Sequence, residues 1–165
     1  MPQTIVPCLW FDQEAEEAAR FYSSIFDNSR IIEVTHYPEG SPRPAGMVML
    51  VEFELDGQRF TALNGGPEFR FDEAISLQVT CETQEEIDYY WERLVDGGEE
   101  SACGWLKDRY ALRWQVVPAD TTAIFSDADP EGAARAMQAM LPMRKLDLAE
   151  LRAAAAGRED RTRAA

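Results

Sequence analysis

The sequence is short of the residues on which most hydrolytic and metal-dependent active sites are built. It contains a single histidine, His36, and three cysteines, none of them in a CxxC pair. It has no HExxH, GxSxG, P-loop or GxGxxG motif, so the usual signals of metalloproteases, serine hydrolases, nucleotide kinases and Rossmann enzymes are missing. The odd number and wide spacing of the cysteines argue against a disulfide framework or a structural zinc site.

Basic residues and long apolar runs are scarce as well. Lys and Arg total 16 against 30 Asp and Glu, which gives a formal net charge of −14. A phosphate backbone selects for basic surface, so nucleic acid is not expected as a partner. No run approaches the roughly 18 apolar residues that cross a bilayer, and the amino terminus lacks the features of a signal peptide. We therefore expect a cytoplasmic protein with no membrane partner.

The first half of the chain alternates β-rich runs with one amphipathic helix. Apolar residues recur at helical spacing after Asp12, which we expect to cap the helix. Asp56-Gly57 indicates a type I′ hairpin, because both central positions of that turn need a positive φ. The predicted strand, helix and three strands cover residues 4–11, 13–26, 29–36, 47–55 and 58–64. This order predicts a βαβββ module over about 4–64.

A similar pattern follows the Gly-Gly-Pro cluster at 65–67. Thr83 and Glu86 form a capping-box signal, and a Gly-Gly pair closes the helix that they begin. The acidic, aromatic and aliphatic positions of the two helices recur in the same order, which indicates a duplication. We predict a second βαβββ module over about 74–118. Its strand, helix, two short strand pieces and last strand cover 74–81, 84–96, 99–103, 105–109 and 112–118.

Helical signals continue beyond the second module. The pattern predicts a helical segment over about 129–156, with caps at Asp129 and Asp147. Residues 157–165 are charged and are expected to fray. We therefore predict an α+β fold in which 1–165 form a single domain. Its paired βαβββ modules form a cupped mixed sheet, and helices follow at the carboxyl end.

Polar and aromatic side chains on the predicted strands are the candidates for binding a small molecule. The polar ones alternate with apolar neighbours, so each strand has one polar face. That face is either a solvated surface or the floor of a cleft between the modules with aromatic walls. Amides and hydroxyls suit hydrogen bonding better than metal binding, so no metal ligand and no cofactor are predicted. The candidate ligand-binding residues are Trp10, Asn64, Gln78, Trp105, Tyr110 and Gln115.

The densest polar and aromatic stretch is 105–110. Lys107 and Arg109 alternate there with Asp108 along a predicted strand, so one side of that strand is basic. Such a side attracts an anion, but pairing with neighbouring carboxylates is the more frequent use of surface cations. We expect the carboxylate pairing.

Several stretches together resemble one protein family. They are residues 9–12 with 16–22, 62–67, 84–86 with 90–91, 103–110 and 114–118. They resemble the PhnB-like branch, often labelled demethylubiquinone methyltransferase-like, of the vicinal oxygen chelate superfamily. The resemblance spans about 4–151 and implies paired βαβββ modules, a cupped sheet and a homodimer. It also implies kinship with glyoxalase I, extradiol dioxygenases and fosfomycin-resistance proteins.

The chain departs from that superfamily at the metal site. Its enzymes typically hold a divalent metal through His, Glu or Gln on the first, fourth, fifth and eighth strands. The corresponding strands here offer no His or Glu; they offer Thr61, Asn64, Ser76, Gln78 and Gln115. No glycine-rich S-adenosylmethionine loop follows the first strand either. Neither the metal chemistry nor methyl transfer is therefore carried over on fold analogy.

Three functions stay open, and whether the chain is an enzyme stays open with them. The favoured one is a dimeric binding protein that holds a small molecule without a metal. The second is a metal-dependent lyase, isomerase or dioxygenase-like enzyme with an unusual divalent-metal site. The third is an acidic dimeric partner or regulatory protein that works through its methionine-rich tail, namely Met137, Met140 and Met143.

Overall fold

The computed structural model describes residues 4–158. The chain divides into two compact units, Met1–Phe71 and Asp72–Ala165, and the boundary lies between the two predicted modules. That 1–165 act as a single domain stays a prediction. Most of the tail that was expected to fray, 159–165, lies outside the described residues. None of the described helices is both long enough and apolar enough to cross a membrane.

Each unit contains one βαβββ module, so the duplication, the α+β class and the C-terminal helices are confirmed. The first module consists of β1 (Cys8–Phe11), α1 (Ala15–Ile25), β2 (Arg30–His36), β3 (Val48–Leu55) and β4 (Gln58–Asn64). The second consists of β5 (Leu77–Cys81), α2 (Gln84–Val95), β6 (Glu99–Glu100), β7 (Trp105–Lys107) and β8 (Arg113–Pro118). The C-terminal helices are α3 (Thr121–Ile124), which sequence patterns did not predict, α4 (Pro130–Met140) and α5 (Leu148–Ala155).

Each module forms its own four-stranded mixed sheet. The strand orders are β1-β4-β3-β2 and β5-β8-β7-β6, so the two sheets have the same topology. In each, the first strand pairs in parallel with the last, and the other pairs are antiparallel. The β3–β4 hairpin turns at Asp56 and Gly57, with φ of 47° and 76°, as the type I′ prediction requires.

One face of each sheet packs against the helix of its own module. In β4 the side chains of Phe60, Ala62 and Asn64 are buried on this helix face, and in β8 those of Trp114 and Val116 are. Alternate residues of the same strands lie on what we call the far face, turned away from the module's own helix, and most of them are half-buried. Apolar burial on the helix face is the main source of stability in both modules.

The two helices begin in different ways. The prediction that Asp12 caps α1 is wrong: the N-cap is Glu14, whose side chain makes no capping bond. Asp12 instead accepts a hydrogen bond from Arg43 at 3.3 Å. The Ala15 N–H of α1 donates to Asn64 Oδ1, 2.8 Å away at the end of β4. A remote amide therefore takes the place of the local cap.

Helix α2 carries the capping box that was predicted for it. Thr83 Oγ1 accepts from the Glu86 N–H at 3.2 Å, and the Glu86 carboxylate accepts from the Thr83 N–H at 3.4 Å. Each side chain thus satisfies one of the N–H groups that a helix start leaves without an intrahelical partner. The cap of α2 is therefore local, since its two partners are only three residues apart in the sequence.

The C-terminal segment packs onto the second module. Gln84 at the start of α2 donates to Leu146 O at 3.1 Å and accepts from the Leu148 N–H at 2.9 Å. The backbone N–H groups of Cys103 and Gly104 donate to carbonyls of Met143 and Arg144 at 2.8 and 2.7 Å. The segment is therefore hydrogen-bonded to α2 and to the loop between β6 and β7.

Candidate functional site

Three of the predicted ligand-binding residues form a row across the second sheet. In the strand register Gln78 of β5 lies opposite Gln115 of β8, and Gln115 lies opposite Trp105 of β7. Residues opposite one another share a face of the sheet, so all three side chains lie on the far face. Gln78 is exposed, and Gln115 and Trp105 are half-buried. The alternation noticed in the sequence thus places two amides and an indole side by side.

A hydroxyl orients the central amide of this row. Gln115 Nε2 donates to Ser76 Oγ at 2.8 Å, just before β5 begins. The bond fixes the plane of the amide and directs its nitrogen to Ser76, so the Oε1 atom is the acceptor that remains for another donor. Ser76 is thus a supporting residue, and it was among the polar residues recognised on the fifth strand.

A cleft of about 140 Å³ adjoins the row and shares Trp105 with it. One of its walls is the next row of the same sheet face, in which Lys107 lies opposite Arg113. Its lining residues are Glu73, Glu99, Glu100, Ser101, Trp105, Leu106, Lys107 and Arg113. The cleft therefore combines one aromatic surface with two cations and three carboxylates.

Both cations of the cleft are paired with carboxylates. Lys107 Nζ lies 2.5 Å from Glu99 Oε1, and the Arg113 Nη2 atom lies 2.8 Å from Glu73 Oε1. The hydrogen bond from Lys107, followed by the charge of the same lysine, holds the pKa of Glu99 below its ordinary value. The expectation that Lys107 and Arg109 pair with carboxylates is confirmed, since Arg109 pairs with Asp96. Strand β7, however, ends at Lys107, so Arg109 lies beyond it.

Tyr110 lies in the turn between β7 and β8 and is half-buried there. The turn is organised by Asp108, which is only 1% exposed. Its carboxylate accepts from the Tyr110 and Leu112 N–H groups at 2.8 and 3.1 Å and from Trp114 Nε1 at 2.8 Å. Tyr110 is therefore held beside the sheet rather than in the row. The sequence pattern did not predict this structural role of Asp108, because the residue lies between two other charges in a polar stretch.

Trp10 and Asn64 lie in the first unit, on opposite faces of its sheet. Trp10 is half-buried on the far face, and its Nε1 donates to Gly66 O at 2.8 Å. A Cβ at Gly65 would lie 2.3 Å from the indole, so the ring needs glycine at that position. Trp10 thus packs on the turn that closes β4.

Asn64 is buried on the helix face, where it is 2% exposed. Its Oδ1 accepts from the Ala15 N–H at 2.8 Å, and its Nδ2 donates to Val48 O at 3.0 Å. A ligand contact by this amide would require the loss of both hydrogen bonds. Of the predicted set, the structure brings together Gln78, Gln115 and Trp105.

The donor set of these strands does not fit a transition metal. Among residues 4–158 no group of three or more His, Cys, Asp or Glu side chains is placed to hold a metal ion. Strands β5 and β8 present Gln78 and Gln115, whose neutral amides are weaker ligands than imidazole, thiolate or carboxylate. The sole histidine, His36, is exposed at the end of β2.

The model of the 3-demethylubiquinone-9 3-methyltransferase family matches residues 3–117. The chain belongs to this family. The family match ends inside β8, so all three C-terminal helices lie beyond it. No curated protein is found to match the sequence. The family's description names a methyl transfer, and it describes the family rather than an activity of this chain.

Two solved structures are similar to the chain over most of their own length. The PhnB protein from Bacillus cereus is 38% identical, with a TM-score of 0.65 over 71% of this chain and 100% of its own. Protein PA1353 from Pseudomonas aeruginosa is 19% identical, with a TM-score of 0.58 over 71% and 98%.

A more distant structure shows how far the fold extends. It is a mutant of the fosfomycin resistance protein FosX from Listeria monocytogenes, complexed with Mn(II) and 1S,2S-dihydroxypropylphosphonic acid. It is 17% identical, with a TM-score of 0.51 over 70% of this chain and 92% of its own. Similarity at this level shows a shared fold and nothing about activity.

Proposed function

We propose that the chain binds a small polar molecule on the far face of its second sheet. The observation that carries the proposal is the register that aligns Gln78, Gln115 and Trp105 in one row. Two amides supply donors and acceptors that orient a ligand, and the indole supplies a flat apolar surface. The proposal concerns the second unit alone and needs neither a metal nor S-adenosylmethionine.

The adjoining cleft indicates how large a group it can hold. Its volume of about 140 Å³ is close to that of the engineered protein cavities of roughly 150 Å³ that accept benzene. A molecule with one six-membered ring fits such a space, with polar substituents directed toward Gln115 and Gln78. Larger ligands would extend along the row.

The test uses benzamide, a neutral ring with one amide. We expect its titration to shift the NMR signals of the Gln115 side-chain amide and the Trp105 indole. Gln115→Leu removes both polar atoms at constant size and should weaken binding about fivefold, the equivalent of one hydrogen bond. Gln138→Leu on the exposed surface of α4 is the matched control and should leave the affinity unchanged. Shifts confined to other residues, or equal affinity in both variants, would contradict the proposal.

The homodimer implied by the family resemblance belongs to the same proposal. Light scattering on the purified chain should give twice the subunit mass of 18.6 kDa. A mass of one subunit at all concentrations tested would contradict the homodimer.

A further inference from the structure

The most constrained cation of the cleft is Arg113 at the start of β8. Only 16% of its side chain is exposed. Its Nη1 donates to Ala111 O at 3.0 Å, which fixes the orientation of the planar guanidinium. The remaining edge, formed by Nε and Nη2, is directed at Glu73. Arg113 therefore presents two parallel donors in a preset direction.

Glu73 contacts this edge through only one of its two carboxylate oxygens. Nε and Nη2 both lie near the same atom, Glu73 Oε1, at 2.9 and 2.8 Å. A guanidinium edge matches a carboxylate best when each nitrogen donates to a different oxygen. A free carboxylate is able to dock in that way, whereas Glu73 binds through a single oxygen.

Glu73 is also held weakly. Its side chain is 71% exposed, and it lies in the segment 72–76, which precedes β5 and has no regular secondary structure. Water competes for the exposed carboxylate, which reduces the free energy that the pair contributes. Glu73 is therefore the partner of this pair that a ligand carboxylate is able to displace.

We propose that the Arg113 edge is the subsite for a carboxylate of the bound molecule, and that Glu73 occupies this subsite until a ligand displaces it. The inference rests on the proposed function and names its ligand class, a small monocarboxylate with an apolar ring. The ring lies against Trp105, which lines the same cleft. The carboxylate takes both donors of Arg113.

The other charges of the cleft are compatible with this exchange. Glu99 stays paired with Lys107, and Glu100 accepts from Trp91 Nε1 at 3.3 Å and lies 3.6 Å from Arg144. A ligand carboxylate that replaces the Glu73 carboxylate leaves the charge next to Arg113 unchanged. Because Glu73 is tethered near its partner, it acts as a competitor at a high effective concentration.

The test compares benzoate with benzamide, which have the same ring and differ in charge. Glu73→Ala removes the competitor, so benzoate affinity should rise at least about threefold while benzamide affinity stays the same. Glu92→Ala, on the exposed surface of α2, is the matched control and should change neither affinity. Arg113→Lys keeps the charge but loses the planar edge, and it should weaken benzoate binding about tenfold.

The outcomes separate this inference from the function on which it rests. Unchanged benzoate affinity in Glu73→Ala, with benzamide still bound at Gln115 and Trp105, overturns the carboxylate subsite and keeps the proposed function. Failure of both probes to bind the wild-type chain and Glu73→Ala overturns both. Benzoate binding that shifts signals away from Arg113 and Trp105 also overturns the subsite.

Discussion

The two modules share a topology but start their helices with different chemistry. In the first, β1 ends at Phe11 opposite Asn64, and in the second β5 ends at Cys81 opposite Pro118. Asn64 reaches from β4 to cap α1, whereas a proline at the matching position has no polar side chain to do so. Helix α2 carries its own capping box instead. In both modules an N–H group at the start of the helix has a side-chain acceptor. That acceptor is able to come either from a neighbouring residue or from a distant strand.

The sheets differ in their outer strands. Strands β2 and β3 have seven and eight residues, and Glu54 and Glu52 of β3 pair with Arg30 of β2 and Arg59 of β4. Strands β6 and β7 have two and three residues, and the cleft lies beside them. Shortening the outer strands leaves room for the cleft but removes hydrogen bonds from the sheet. The C-terminal segment, which extends past the family match, supplies replacements at the β6–β7 loop.

Leu146→Ala is the strongest way to break this comparison. Leu146 is 2% exposed and packs against Gly104 in the β6–β7 loop. If the C-terminal segment is part of the second module, the substitution should lower the free energy of unfolding by about 3 kcal/mol, as for other buried leucines. Urea unfolding measures the loss. Leu141→Ala, at a site that is 53% exposed, is the control, and equal stability of the two variants would show that the segment is merely appended.

Asn64→Ala tests the remote cap. The variant leaves the Ala15 N–H and the Val48 carbonyl without their buried partner, so we expect a loss of about 2 kcal/mol in urea unfolding. Hydrogen exchange should also quicken in the first turn of α1 and not in α2. A variant as stable as Gln13→Ala, a change at a neighbouring exposed position, would contradict the assignment of Asn64 as the cap.

Thr83→Ala tests the local cap and should cost less. Thr83 is exposed, so water replaces part of the lost bond, and we expect a loss of about 1 kcal/mol. Thr83→Ser keeps the hydroxyl and should restore most of the stability. If Thr83→Ala and Asn64→Ala lower the free energy of unfolding by the same amount, burial of the cap does not determine its contribution.

The smallest expected effect concerns the ion pairs of the two sheets. Hydrogen bonds from Lys107 and Arg30 hold the pKa values of Glu99 and Glu54 below their ordinary value of 4.5. Such a carboxylate stabilises the fold above its unfolded-state pKa, and the contribution is lost as the pH falls through the lower folded-state pKa. Lys107→Met should raise the pKa of Glu99 alone. Carbon-detected NMR titration of the carboxyl groups measures both pKa values. A parallel rise in the pKa of Glu54 would argue against a local effect of Lys107.

Much of the fold was predictable because its signals are local. Thr83 and Glu86 are three residues apart, Asp56-Gly57 are adjacent, and the alternation around Gln78 and Gln115 follows the period of a strand. Signals between distant residues were missed. The local sequence pattern favoured Asp12 as the cap of α1. The acceptor is instead Asn64 of β4, which only the tertiary structure brings next to the start of the helix.

The candidate site was predictable to a similar degree. Gln78, Gln115 and Trp105 lie on the strands to which the alternation assigned them, and the topology of the sheet makes them neighbours. The pairing of Arg113 with Glu73 joins residues 40 positions apart, across no recognisable motif. Asn64 was selected for its polarity, although its position at a strand end makes it equally suited to a structural contact.

The two ways of capping also predict an order of assembly. Helix α2 contains both partners of its capping box, so its first turn forms as soon as that short stretch is free to fold. Helix α1 waits for an amide 49 residues away, and its start is secured only when β4 has docked beside β1. Because closing a long loop precedes that contact, we expect the first module to condense as a whole and the second to grow from its helix.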